Sequence, residues 1–464
     1  MFQDMKSHLI ACVCLVLPGL GLAQTTGFSG DLSLNNKNSL GSGMLLAPFQ
    51  YIAPAGSKNA NSEPAPKRTP GQKKIVDLNA AGDYRAAGTE GLALMAVEQV
   101  DDELQLMVAN SLAWTGRIKE AIPSYQALTK GKFANEANIG LANMNRWRGR
   151  DDQALPMYQS VLEKDPSNAD ALEGMNLAYK ELSPRTSFGM GGASDSSNSQ
   201  RRSGLINHRW RDQSGADIFE IEINGVRDWL PAPVPEAKQQ EIVGRYQNLD
   251  MTLKPSLELS MPTDLNRRLF ATGRIKLWDG KISVGAGTVN WSKKASNPNV
   301  LNAGLSANYL GFDATQTFSK GRLTGRMDYY TISPDGNSIL TSNLTFNPSW
   351  RPLGSHFKPF LGVEDRTARF NTSSYWSPAQ GAGTAFTGLL GEWSQPDWNL
   401  FASAQIGARV RGDSGSSWSV SVGGKRWLTS DVAISTNFWS MASWRDNAAY
   451  RSQSLNLNLE KLWH

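Results

Sequence analysis

The pattern of apolar and polar positions changes once along the chain, near Pro184. Before that residue apolar positions follow a helical period, and after it they alternate one by one with polar positions. The alternation is clearest in the stretch 398–411, where the apolar residues are Trp398, Leu400, Ala402, Ala404, Ile406, Ala408 and Val410. Because a strand places successive side chains on opposite faces, this stretch predicts a strand with one apolar and one polar face.

The same alternation recurs throughout the second half of the chain. It is found in the stretches 251–261, 275–277, 282–286, 340–346, 418–422 and 455–459. Turn-forming sequences such as Asp279-Gly280 lie between these stretches, which predicts an antiparallel meander. Roughly 280 residues at about 17 to 18 residues per strand and turn give about 16 strands. The polar positions that we predict to share one face are Asn399, Ser403, Gln405, Arg409, Lys254 and Glu258.

Two environments suit such strands: a soluble sandwich with a packed core, and an outer-membrane barrel whose apolar face meets lipid. The length favours the barrel, because a soluble sandwich of this size usually splits into domains. The tryptophans favour it as well, since only Trp114 and Trp147 of the 15 precede the strand region and many others lie beside turns. The chain also ends inside an alternating strand, which can close a cylinder. The six polar residues are therefore predicted to face the lumen.

A repeated motif occupies the segment before the strands. Gly82, Gly116 and Gly149 are each followed five residues later by an alanine, and they lie 34 and 33 residues apart. This is the period of the tetratricopeptide repeat, a helix-turn-helix unit. The residues assigned to packing between repeat helices are Ala109, Ala121, Tyr125, Ala142, Ala154, Tyr158 and Pro166. We predict one partial and two full repeats with a capping helix over 168–182, serving either as a protein-binding surface or as a structural spacer.

These patterns define the predicted fold class, which is α + β multidomain. A short tetratricopeptide (α-solenoid) domain is followed by an antiparallel transmembrane β-barrel of about 16 strands. The predicted segments are a signal peptide at 1–23, a flexible linker at 24–74, helical repeats at 75–183, a hinge at 184–200 and the barrel at 201–464. The linker and the hinge are assigned from their high content of Ser, Asn, Gly and Pro.

The first residues follow the pattern of a secretory signal peptide. Lys6 precedes an apolar run of about 14 residues, and cleavage is expected after Ala23. An uncleaved membrane anchor is disfavoured because a spanning helix needs about 20 residues. A lipid anchor on Cys12 is disfavoured because its motif comes before most of the apolar run. Since Cys12 and Cys14 are the only cysteines, the mature chain is expected to lack disulfides, thiolate metal sites and cysteine nucleophiles.

No arrangement of residues in the sequence indicates catalysis. The histidines outside the signal, His208, His356 and His464, are isolated from one another, which favours solvated side chains over metal ligands. Carboxylate pairs such as Glu220 with Glu222 fit a lumen lining better than a glycosidase site. We therefore expect no enzyme activity, no cofactor and no metal. The formal net charge of +5 is modest, and no clustered basic helix suggests a nucleic-acid partner.

The order of signal peptide, tetratricopeptide repeats, hinge and barrel resembles the outer-membrane exopolysaccharide exporters. The chain is most similar to the cellulose synthase operon protein C family, and the poly-N-acetylglucosamine porin is a relative of that family. Tyr375-Trp376-Ser377-Pro378 looks like the aromatic-aromatic-Ser-Pro signature of that barrel, and Arg201-Arg202-Ser203-Gly204 looks like the start of its first strand. The resemblance covers roughly residues 75 to 464. One departure is the repeat region, which is much shorter than the periplasm-spanning scaffold of that family.

The resemblance implies a channel in the bacterial outer membrane with its repeats in the periplasm. The exported polymer would be cellulose or a related β-glucan, and the repeats would dock periplasmic or inner-membrane components of the synthesis machinery. Two other functions stay open at this point. A barrel that only anchors the repeats would be a receptor or assembly platform, whereas a general diffusion porin is disfavoured because such a porin has no need of appended repeats.

Overall fold

The computed structural model describes residues 67–229, 236–263, 268–295, 298–318, 320–354, 356–395, 397–445 and 448–463. The predicted signal peptide and most of the predicted linker lie outside these residues. The described residues form two compact units, one helical and one made almost wholly of strands. The division confirms the predicted order of a helical region followed by a barrel.

The helical unit contains seven consecutive helices. They are α1 Pro70–Ala80, α2 Tyr84–Met95, α3 Asp102–Trp114, α4 Ile118–Leu128, α5 Ala134–Trp147, α6 Asp151–Leu162 and α7 Ala169–Leu182. A capping box starts α1, because the Thr69 hydroxyl accepts from the Gln72 amide and the Gln72 side chain accepts from the Thr69 amide, each at 3.3 Å. The helix therefore begins inside the segment 24–74 that the sequence assigned to a linker. None of the described helices has the length and apolar character needed to span a bilayer.

Three glycines set the turns between paired helices. Gly82, Gly116 and Gly149 follow α1, α3 and α5 with φ values of 77°, 78° and 78°. Only glycine adopts this left-handed conformation without a steric cost, which explains why it recurs at this point of the motif. The three equivalent turns give each helix pair the same antiparallel geometry.

Sixteen antiparallel strands form the second unit. They are β1 Arg185–Asp195, β2 Gln200–Arg211, β3 Asp217–Trp229, β4 Ala237–Asn248, β5 Ser256–Pro262, β6 Phe270–Leu277, β7 Ile282–Asn290, β8 Ser306–Phe318, β9 Gly321–Ser333, β10 Ser338–Pro348, β11 Phe357–Ala368, β12 Gly383–Gln395, β13 Trp398–Arg411, β14 Ser416–Trp427, β15 Val432–Arg445 and β16 Ala448–Leu462. Each strand pairs with its neighbours in sequence, and β1 pairs with β16 from Arg185↔Leu462 to Asp195↔Ser452. The ladder is closed, so the predicted barrel and strand number are confirmed.

The predicted hinge at 184–200 is wrong, because most of it is strand β1. Phe188 and Met190 point to the outer side of the barrel and are 48% and 65% exposed, as an outward strand parity requires. Gly and Ser make up most of the other residues of β1, so the segment has the composition of a linker. It nevertheless pairs with β16 on one side and with β2 on the other. The barrel thus begins at Arg185 instead of residue 201, and Arg201 lies in the second strand instead of the first.

The two ends of the barrel differ in the length of their connections. We call the end where β1 begins and β16 ends the proximal end, and the opposite one the distal end. The longest proximal connection is 349–356, whereas the distal end has helix-containing residues 291–305 and the loop 369–382. These two distal connections, named below the β7–β8 segment and the β11–β12 segment, shape the interior of the barrel.

Candidate functional site

The inner and outer sides of the barrel wall differ in chemistry. On β13, Ile406 and Val410 are each 65% exposed, while Gln405 and Arg409 between them are half-buried. A closed cylinder screens its inner side, so the exposed parity is the outer one. The other exposed apolar residues with this outward parity include Phe188, Met190, Ile221, Ile223, Leu257, Leu259, Met261, Leu455, Leu457 and Leu459. The outer side is therefore apolar and the inner side polar along these strands.

Five of the six residues predicted to face the lumen lie on strands with inward parity. Ser403, Gln405 and Arg409 are half-buried on β13, and Asn399, on the same parity, is exposed near the proximal end of that strand. Glu258 on β5 is half-buried and forms an ion pair with Arg245 of β4, with Oε2 2.7 Å from Nε.

The sixth residue, Lys254, is placed differently from the prediction. It lies in the connection before β5 with φ of 40°, so it belongs to no strand. The alternation of apolar residues over 251–261 continues through a turn, because Met251 and Leu253 precede the first residue of the strand, Ser256. Because these exposed apolar residues of the turn continue the alternation of the strand, the sequence pattern does not show where the strand begins.

Ion pairs neutralise much of the charge on the inner wall. Arg201 and Asp228, on β2 and β3, form a fully buried bidentate pair with distances of 2.6 Å and 2.5 Å. Arg245 on β4 contacts Glu220 and Glu222 of β3 at 2.6 Å and 2.9 Å in addition to Glu258. Further pairs join Arg274 to Asp313, Arg326 to Asp328, Lys358 to Glu392, Arg411 to Asp365 and Lys425 to Glu460. Such pairing keeps the wall polar without a large local charge.

The β7–β8 segment folds into the interior of the barrel. It contains two short helices, α8 Trp291–Ala295 and α9 Pro298–Ala303. Leu301 of α9 is fully buried in a cluster with Val226 of β3 and Ala237 of β4. The ladder places β5 and β6 between β4 and β7, so a segment that leaves β7 reaches β4 directly only through the lumen.

Lys293 holds the same segment by polar contacts. Its ammonium group donates to the side-chain oxygen of Asn224 at 2.8 Å and forms an ion pair with Glu241. Asn224 and Glu241 are on the inner side of β3 and β4 and are both buried. An apolar contact and a charge pair therefore fix the β7–β8 segment against the inner side of β3 and β4.

The β11–β12 segment also folds inward and meets the first one. Its Tyr375 is buried, and the ring centroid lies 5.6 Å from that of Trp291 in an edge-on arrangement. Trp291 in turn packs on Tyr330 of β9 with centroids 5.1 Å apart. The Tyr375 hydroxyl donates to Asp335 in the β9–β10 turn. Burial and this bond to a carboxylate both raise the pKa of Tyr375 above the ordinary value of a phenol.

Side-chain bonds to the backbone fix the rest of the β11–β12 segment. Asn337, fully buried in the β9–β10 turn, donates to the Phe370 carbonyl at 3.0 Å and accepts from the Phe370 amide at 3.2 Å. Asp365 of β11 accepts from the amide of Ala382 at 2.9 Å, which fixes the other end of the segment. The β11–β12 segment is therefore held at both ends and in the middle.

The residues predicted to pack between repeat helices lie in the helical unit as follows. Ala109, Ala121, Tyr125, Ala142, Ala154 and Tyr158 are all buried. Pro166 is the exception and corrects the assignment, since it is exposed in the connection after α6, where its ring stops the helix instead of packing.

Two further pairs of residues recur with the repeat and were not predicted from the sequence, Asn110 with Asn143 and Gly140 with Gly174. The Tyr125 hydroxyl donates to Asn110 and the Tyr158 hydroxyl to Asn143, each at 2.6 Å. On the other side of each ring, the next helix approaches through a glycine. A Cβ on Gly140 would lie 2.4 Å from the Tyr125 ring, and one on Gly174 would lie 2.4 Å from the Tyr158 ring. The spacing of 33 residues between the asparagines and 34 between the glycines is the signal that would have identified them.

The described residues contain no group of three or more His, Cys, Asp or Glu side chains placed to hold a metal ion.

Comparisons with known proteins give structural neighbours only. No protein family and no curated protein matches the sequence. The BenF-like porin from Pseudomonas fluorescens Pf-5 matches with a TM-score of 0.35 and 8% identity over 61% of this chain and 98% of that porin. Pseudomonas aeruginosa OprD matches with a TM-score of 0.35 and 10% identity over 60% of this chain and 94% of OprD. The second TPR domain of the human RPAP3 protein matches with a TM-score of 0.22 and 16% identity over 23% of this chain and 91% of that domain. At these low scores the architecture rests on the strand pairing of this chain itself.

Proposed function

We propose that the protein is a bacterial outer-membrane channel through which an exopolysaccharide leaves the cell, with cellulose or a related β-glucan as the expected class of polymer. The observation that carries this proposal is the closed ladder of 16 strands with an apolar outer side and a polar inner side. In lipid, all backbone polar groups of a spanning sheet must be paired, and closure satisfies that requirement. A polar lumen with aromatic surfaces at its constriction suits a chain of sugars.

The orientation of the barrel supports a periplasmic position for the segment before β1. In outer-membrane barrels the short turns face the periplasm and the longer loops face outward. The proximal end has the shorter connections, and both β1 and the end of β16 lie there. In this orientation the chain that precedes Arg185 enters the barrel from the periplasm, and the two inward segments come from the cell surface.

The helices are, in our proposal, tetratricopeptide repeats that bind a protein partner. The recurring glycine turns and the two Tyr-Asn bonds at a spacing of 33 residues support a true structural repeat. Stacked helix pairs of this kind present an extended surface that binds other proteins. The partner would be a periplasmic or inner-membrane component of polymer synthesis.

A second function remains in competition because of the two inward segments. If the β7–β8 and β11–β12 segments close the lumen, the barrel anchors the repeats as a receptor or assembly platform and conducts nothing. The contacts at Lys293 and Asn337 make this a specific alternative, since they fix both segments inside the cylinder.

Conductance in planar bilayers separates the two functions. The mature chain, refolded in detergent, should form ohmic channels, and boiled protein serves as the control for leak. A silent barrel with the folded gel mobility would support the platform instead. In cells, removal of the barrel should abolish extracellular polymer while synthesis by membranes continues. Unchanged surface polymer in that strain would contradict an export function.

A further inference from the structure

Three arginines converge on one aromatic ring at the distal end of the lumen. Arg366, Arg409 and Arg445 lie near the distal ends of β11, β13 and β15. Their guanidinium carbons are 5.4 Å, 5.8 Å and 4.7 Å from the centroid of the Trp376 ring in the β11–β12 segment. The three residues come from alternate strands and from positions 43 and 36 residues apart, and the pairing of β11 to β15 brings them to the same end of the barrel. We call this group the arginine cluster.

The arginine cluster differs from the other charges of the inner wall in its partners. Within the described part of the chain, none of its three members forms an ion pair, and Arg409 donates only to the Thr384 hydroxyl at 3.0 Å and to a backbone carbonyl at 2.5 Å. Nε of Arg366 and both Nε and Nη2 of Arg445 are shielded from bulk solvent and have no hydrogen-bond partner among those residues. Several strong donors therefore point into the lumen unsatisfied, although burial of such groups is costly.

Carboxylates lie near the arginine cluster, but within the described residues none of them forms an ion pair with its three members. Asp365 is paired with Arg411 at 2.6 Å, and Asp195 accepts from the Tyr450 hydroxyl at 3.1 Å. Glu364 interacts electrostatically with Arg409 without forming an ion pair with it. Asp365 and Asp413 also act electrostatically on Arg409, and Asp195 acts on Arg445, in each case without an ion pair. The rings of Trp376 and Tyr450 lie against the Arg445 guanidinium group. The guanidinium N–H groups without a partner are the donors that a bound oxyanion would satisfy.

We propose that the arginine cluster recognises carboxylate groups on the exported polymer, so that the cargo is an acidic polysaccharide containing uronic acid residues. The planar guanidinium fork matches a carboxylate with two parallel hydrogen bonds, which is why arginine serves this purpose better than lysine. The cluster lies on the route that a polymer takes past the β11–β12 segment. A neutral glucan would gain nothing from these three charges. This inference rests on the proposed export function but replaces the neutral glucan expected there with an acidic polymer.

Equilibrium binding tests the site without requiring conduction. Isothermal titration of the refolded full-length mature protein with trigalacturonate should show binding that weakens as salt rises, whereas the neutral cellotriose should bind at least tenfold more weakly. The double variant Arg366→Gln/Arg445→Gln should lose trigalacturonate binding by at least tenfold. Arg322→Gln is the matched control, because it removes one exposed arginine at the proximal end of β9 and should leave binding unchanged.

The binding results test the proposed site, and they can be distinguished from a failure of the export function. Equal binding of the acidic and neutral trisaccharides, or full binding by a folded double variant, would overturn the site. Tighter binding of inorganic phosphate than of trigalacturonate would overturn the assignment to carboxylates. If the double variant does not migrate on gels as a folded barrel, the binding of the two trisaccharides to the unmodified protein still tests whether the site prefers carboxylates. A protein that binds trigalacturonate but shows no conductance would refute export while leaving the site in place.

Discussion

The outer side of strand β13 offers a direct test of whether the barrel is embedded in lipid. Ile406 and Gln405 are adjacent residues that point to opposite sides, outward and inward. Changing each one to arginine adds the same side chain at nearly the same height. If the outer side faces lipid, Ile406→Arg places a charge in hydrocarbon, while Gln405→Arg places it in the wet lumen.

The height of Ile406 sets the expected magnitude. β13 has 14 residues, which at about 3.4 Å per residue and a tilt of about 40° gives a rise of about 34 Å. Ile406 is one and a half residues from the strand centre, or about 4 Å along the barrel axis. An apolar band of about 25 Å centred on the strand therefore covers it. Arginine near the bilayer midplane costs about 2 to 4 kcal/mol, whereas a substitution at a wet position stays within about 0.5 kcal/mol.

Reversible unfolding in guanidinium chloride measures the difference. Both variants and the unmodified protein are refolded into unilamellar vesicles, and tryptophan fluorescence follows unfolding. We expect Ile406→Arg to lower the free energy of unfolding by about 2 to 4 kcal/mol relative to Gln405→Arg. Equal stabilities of the two variants in vesicles would refute the argument, because an exposed isoleucine in water can become arginine at little cost.

Three further predictions concern the helical unit and the constriction. Burial raises the pKa of Tyr158 to about 12, so stability should fall as pH rises from 10 to 12, by up to about 2.7 kcal/mol, and Tyr158→Phe should reduce this fall in alkaline unfolding followed by circular dichroism. Gly140→Ala should destabilise the helices by about 1 to 3 kcal/mol in thermal melts, because its Cβ meets the Tyr125 ring, and Gly174→Ala should behave alike; unchanged melting of both would contradict the close packing. Asn337→Ala should release the β11–β12 segment by removing bonds of about 1 kcal/mol each and raise single-channel conductance, whereas unaltered conductance would show that the segment does not constrict the lumen.

Local periodicity explains which parts of the fold could be predicted. The alternation on β13 and the regular spacing of glycines in the helical region are visible directly in the sequence. Both patterns predicted the type of secondary structure that is observed. The same local rule fails at β1, where Gly and Ser occupy positions of a paired strand, and before β5, where the apolar residues of a turn continue the alternation. Composition and periodicity reflect only the residues of the segment itself. Whether a segment forms a strand also depends on its pairing with strands elsewhere in the chain.

The interior of the barrel could not be predicted in this way. Arg409 was assigned to the lumen by parity, but its proximity to Arg366 and Arg445 depends on the order and register of the strands from β11 to β15. Trp376 stood out only through a family resemblance, and nothing nearby in sequence indicates that its segment turns inward to meet Trp291. Contacts between loops that enter the lumen from different strands follow no periodic pattern in the sequence. The sequence therefore does not predict which residues of these loops contact one another.

The pairing of β1 with β16 also governs when this protein can become functional. The cylinder needs both extremes of its strand region, since Arg185 lies beside Leu462. Ribosomes make the last strand hundreds of residues after the helices, so the earlier strands must be kept from aggregating before the sheet can close. Loss of a few C-terminal residues would leave the edges of β1 and β15 unpaired at the same time. Such a truncated protein should be degraded by proteases instead of persisting as a leaky pore.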